Sequence, residues 1–113
     1  MQPVIETEPI VETRGDDWVW PLALLTDGDA PADLTGCAFD GAAIKWRDGA
    51  LELSLANGRL SVDAPNGALT VSVARADTAS VPDGQRARAV IPIVDALGHK
   101  STLLIIPIQV IAP

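Results

Sequence analysis

Ala87-Arg88-Ala89-Val90-Ile91-Pro92-Ile93-Val94 leads into Asp95-Ala96-Leu97-Gly98. Residues 102–111 then read Thr102-Leu103-Leu104-Ile105-Ile106-Pro107-Ile108-Gln109-Val110-Ile111. Two long runs rich in β-branched residues, joined by a four-residue turn with Asp and Gly, predict an antiparallel hairpin. The second run carries apolar groups at both odd and even positions. A strand with one solvated face alternates apolar and polar residues. One face of this strand is therefore expected to fill the core. The other is expected to be covered, because large apolar patches are uncommon on soluble monomers.

The same reading extends upstream. Pro65-Asn66-Gly67 fits a type I turn followed by a left-handed glycine, joining Arg59–Asp63 to Ala68–Val73. Leu69, Val71 and Val73 alternate with Thr70 and Ser72, which predicts one wet face. Asn57-Gly58 is the preferred two-residue hairpin loop, and it predicts a tight hairpin over Leu51–Val62. In that register Leu55 faces Leu60, Leu53 faces Val62, Ser54 faces Ser61 and Glu52 faces Asp63. Asp17–Leu25 reads as a strand with Trp18, Trp20, Leu22 and Leu24 on one face, and Phe39–Trp46 holds another. Ala74–Ala79 is expected to form one helical turn before Pro82-Asp83-Gly84. Pro21, Pro92 and Pro107 fall inside strands, and proline cannot donate to a ladder, so edges, bulges or bends are expected there. Short strands with frequent turn signals predict an all-β fold: an antiparallel Ig-like β-sandwich with short hairpins and at most one short helix.

Residues 1–13 read as an N-terminal strand or arm, and residues 14–113 as a single sandwich domain. The arm holds a near-repeat, Pro3-Val4-Ile5-Glu6-Thr7 and Pro9-Ile10-Val11-Glu12-Thr13. Two copies are too few for a solenoid. The segment is β-prone and spans at most roughly 45 Å when extended, enough to pair at home or on a neighbour. Candidate interface residues are Val4, Ile5, Ile10 and Val11 in the arm, and Leu104, Ile106, Ile108 and Val110 in the last strand.

The 113 residues carry eight Lys and Arg against fifteen Asp and Glu, a formal net charge of −7. The basic residues are scattered singly in the sequence, which argues against a nucleic-acid surface. The most apolar stretch, Leu103–Ile111, is far short of the roughly 20 residues of a membrane helix and contains Pro107. The first ten residues carry Glu6 and Glu8 and no basic region, so no signal peptide is expected. Cys37 is the only cysteine and His99 the only histidine. No sequence motif brings a nucleophile or a metal ligand to either. Cys37 is expected as a small buried side chain and His99 as a solvated turn residue. Asp27, Asp29 and Asp33 lack the spacing of a calcium loop. Arg14-Gly15-Asp16 spells an adhesion tripeptide, but a turn before a strand explains all three residues. No catalytic, cofactor-binding or metal residue is expected. Trp18, Trp20 and Trp46 are expected in the core, with an exposed aromatic platform for carbohydrate or a partner as the alternative.

The order of landmarks resembles a β-sandwich domain family of tailed-phage baseplate and tail proteins, of the kind at the N-terminus of upper baseplate proteins. Arg14-Gly15-Asp16-Asp17-Trp18-Val19-Trp20 looks like that family's opening of R-G-D, aromatic, any residue, aromatic. An acidic-glycine turn follows at Asp27-Gly28-Asp29, then Asp33-Leu34-Thr35-Gly36. Ala76 to Gly84 takes the place of the family's threonine-rich segment ending in Pro-x-Gly, and Asp95-Ala96-Leu97-Gly98 that of its last turn. The threonine that the family carries before its central segment is absent. The resemblance covers residues 14–111 and implies a structural role: a subunit or adaptor of a phage or prophage-derived virion, made in the host cytoplasm, with no cofactor. Expected partners are other virion proteins or copies of itself in a homo-oligomeric assembly, without nucleic acid or membrane. A carbohydrate- or receptor-binding module and a capsid decoration protein are the alternatives.

Overall fold

The computed structural model describes residues 4–26, 28, 30–84 and 86–113. In chain order the strands are β1 (Val4–Glu6), β2 (Ile10–Thr13), β3 (Trp18–Ala23), β4 (Ala43–Trp46), β5 (Gly49–Glu52), β6 (Leu60–Asp63), β7 (Ala68–Val73), β8 (Arg86–Val94) and β9 (Lys100–Ile111). A 3-10 turn at Ala64–Asn66 and one helical turn, α1 (Arg75–Thr78), complete the set. Six strands form one sheet in the order β1-β9-β8-β4-β5, with β2 also on β9. The other three form a second sheet in the order β3-β7-β6. The two pack as a small all-β sandwich, as the turn spacing predicted. No helix is long and apolar enough to cross a membrane among the described residues.

The core follows from strand alternation. Trp18 and Trp20 of β3, Leu69, Val71 and Val73 of β7, and Leu60 of β6 point inward from the smaller sheet. Ile44, Ala87, Ala89, Ile91 and Ile93 meet them from the larger one, with Leu104, Ile106, Ile108 and Val110 of β9. Trp18 and Trp20 stack with ring centroids 6.1 Å apart. Their indole N–H groups do not go unpaired. Trp18 Nε1 donates to the Thr13 carbonyl at 2.9 Å, and Trp20 Nε1 to Glu12 Oε1 at 3.0 Å.

The long hairpin at residues 87–111 forms, with Val90 opposite Ile105 and Pro92 opposite Leu103. The Pro65 turn also forms, with Gly67 left-handed at φ 63°. The Asn57-Gly58 hairpin does not. β5 pairs with β4, and β6 pairs with β7 in the other sheet, so Leu53 does not face Val62 and Glu52 does not face Asp63. The reason is one of layering. A β5–β6 ladder would fuse the two sheets into one open sheet with nothing opposite to bury it. Breaking the ladder lets residues 53–59 carry the chain across to the facing layer. Leu53 and Leu60 then reach the core, while Leu55 stays half exposed. Gly58 still has positive φ, at 79°. Asn57 is the splice: its Oδ1 accepts from the backbone N–H of Ser54 and Arg59, and its Nδ2 donates to the Glu52 carbonyl.

Each of the three strand prolines sits where a ladder bond is missing. Pro21 is on β3, an edge strand. Pro92 lies between Val90, bonded to β4, and Val94, bridged to Ala38. Pro107 lies in the gap between β1 and β2, which pair with β9 on either side of it.

Candidate interaction surface

The arm folds onto its own domain. β1 and β2 both run parallel to β9, with Val4 opposite Leu103 and Ile10 opposite Ile108. Seven arm residues, from 4 to 10, are thus matched to six of β9, from 103 to 108. The extra residue is absorbed at Glu8-Pro9, and Pro107 needs no partner there. The six-residue repeat is therefore one strand-forming unit used twice around a proline gap. Of the two roles expected for the arm, the structure has the strand of the home sheet.

The expected interface residues divide by register. Leu104, Ile106, Ile108 and Val110 are each at most 2% exposed and belong to the core, which corrects their assignment to a contact surface. Strand alternation sends the other set outward, and Leu103, Ile105 and Pro107 are each partly exposed. In the arm, Ile10 packs against the core, while Ile5 and Val11 are about half exposed. For Val4 only the backbone is described.

The outward face of the larger sheet is ordered in rows across the strands. One row holds Lys45, Arg88 and Pro107. The next holds Glu52, Ala43, Val90, Ile105 and Glu6. A third holds Pro92 and Leu103. Val90, Pro92, Leu103, Ile105 and Pro107 thus form a continuous apolar strip, each member partly exposed. Beside it lies a shallow hollow lined by Lys45, Arg47, Arg86, Arg88, Glu6 and Trp46, among others. Four of the eight cations in an acidic chain meet there, and among the described residues none of the four is in an ion pair. Lys45 and Arg88 stand directly opposite each other, an unfavourable placement for like charges.

The residues singled out for chemistry have structural partners. The Arg14-Gly15-Asp16 turn holds α1 in place. The Gly15 N–H donates to Thr78 Oγ1 at 3.1 Å, and Thr78 Oγ1 donates to the Asp16 carbonyl at 2.7 Å. Asp17 Oδ1 accepts from the Arg75 N–H at 2.7 Å. Thr78 was not legible as important, because a threonine in a short polar segment carries no periodic signal. Asp33 accepts from the Thr35 hydroxyl and N–H, and these bonds hold its carboxyl below the usual range. Asp27 and Asp29 lie outside the described residues. His99 is exposed, 3.8 Å from Asp95. Cys37 is partly buried, and burial pushes its thiol up, with Asp95 and Asp33 adding to the effect. Trp18 and Trp20 are interior, and Trp46 lies partly buried against Gly49, so the three form no exposed platform. Among the described residues no group of three His, Cys, Asp or Glu is placed to hold a metal.

No family model, curated protein or solved structure matches this chain.

Proposed function

We propose that this chain is a non-enzymatic assembly domain whose contact surface is the outward face of the six-stranded sheet. The carrying observation is the apolar strip Val90, Pro92, Leu103, Ile105 and Pro107, which no element of the chain covers in full. Core-facing residues account for only half of the apolar groups on β9. The remainder favours a partner, because partly exposed apolar groups arranged contiguously on a flat sheet are suited to burial by another surface. The resemblance of residues 14–111 to phage baseplate and tail domains supports a virion or prophage-derived particle as the setting. Its partners there are other particle proteins or copies of itself. The buried tryptophan pair weighs against the carbohydrate-binding alternative.

The test is incorporation. Ile105→Asp puts a charge in the strip, and Val19→Asp puts one on the outer face of the smaller sheet, where Val19 is 58% exposed. The Ile105→Asp chain is expected to fold and to be missing from purified particles, while Val19→Asp is retained. Loss of both or of neither contradicts the choice of face.

A further inference from the structure

The apolar strip is flanked by opposite charges at its two ends. Past one end lie Arg86, Arg88, Lys45 and Arg47. At the other end, β8 finishes at Val94, which is bridged to Ala38. Asp95 follows it directly, and Asp40 is exposed in the turn between Phe39 and Ala42.

We propose that this face binds the same face of a second copy, with the strands of the two copies antiparallel about a two-fold axis crossing β8 and β9 between the Val90 and Pro92 rows. The proposal rests on the reading of this face as the contact surface and names its occupant. Three features coincide under that one rotation. The Ile105 row lies over the Leu103 row of the second copy, so the strip covers itself. The Lys45–Arg88 row lies over the level of Ala38–Val94, beside Asp40 and Asp95 of the second copy, which resolves the facing cations. Leu97, 81% exposed in the hairpin turn, comes to the level of a hollow lined by Pro9, Gly84, Arg86, Pro107 and Ile111. A two-fold contact is self-complementary, so each pairing occurs twice. Aligned sheets pack about 10 Å apart with strand directions within about 30°. A molecule of 40 × 26 × 23 Å has a broad face large enough for the roughly 800 Å² per partner of a standard interface. The net charge of −7 opposes association at long range, so the local pairs act only at contact.

Sedimentation velocity on the full chain tests this. A dimer is expected at about 0.15 M salt, where the long-range repulsion between the two acidic chains is largely screened. Lys45→Asp and Asp40→Lys should each weaken it about tenfold, and the two together should restore it. Both sites are exposed, and circular dichroism checks the fold of each variant. A chain that stays monomeric, or a dimer indifferent to Lys45→Asp, or a double variant no tighter than the singles, overturns the proposal. If the chain is monomeric while Ile105→Asp is still excluded from particles, the face remains the contact surface and its occupant is a different protein.

Discussion

Thr78 is fully buried and uses its hydroxyl as both acceptor and donor, tying Gly15 and Asp16 to α1. Thr78→Val keeps the shape and leaves the Gly15 N–H and the Asp16 carbonyl without this partner. A loss of about 1–3 kcal/mol in unfolding free energy is expected from denaturant titration, and no loss would show that the turn is not anchored there. Two glycines separate backbone conformation from space. Gly58 has φ of 79° with nothing within 4 Å of an added Cβ, so Gly58→Ala should cost about 1 kcal/mol. Gly67 also has positive φ, but its Cβ would stand 2.6 Å from the Leu24 carbonyl and 2.7 Å from that of Ala32. Gly67→Ala should cost roughly 3 kcal/mol or more, and equal effects at the two sites would refute the distinction. At Cys37 the raised thiol pKa leaves less thiolate at neutral pH, so alkylation should be slower than for free cysteine and should recover in urea. A rate equal to that of the free amino acid would contradict the partly buried placement.

At the scale of elements, the arm is a part of the sheet rather than an appendage. Removing residues 1–13 would uncover one edge of β9 and strip both tryptophan N–H groups of their acceptors. A fall in thermal midpoint on the order of 10 °C is expected in calorimetry. An unchanged midpoint would mean that the arm is dispensable to the fold. The 87–111 hairpin and the Pro65 turn were legible because periodicity and turn chemistry there agree with what the opposing layer requires. The 51–62 segment had equally consistent local signals, and they misled. Asn57-Gly58 fixes positive φ at Gly58 but not the partner of the flanking strands. Which edge β5 takes depends on β4, and on the need for a second layer, which no local window contains. The candidate contact residues met the same limit. That β9 is apolar on both faces was readable, but which set points inward is fixed by its pairing with β8 and by the position of the smaller sheet.

For the whole molecule, the charge distribution adds what composition concealed. Cations scattered singly along the chain converge on one sheet face, because β4 and β8 are neighbours although more than forty residues separate Lys45 from Arg88. A face with an apolar strip, cations at one end and carboxylates at the other is suited to a protein partner in a fixed orientation. Hydroxyl-radical footprinting of the chain within its proposed assembly against the free chain tests the central claim most directly. Leu103, Ile105, Val90 and Pro107 should lose reactivity on assembly while Val19 and Leu55 keep theirs. Unchanged reactivity along the strip, with protection confined to Val19, Leu55 or the smaller sheet, would contradict it.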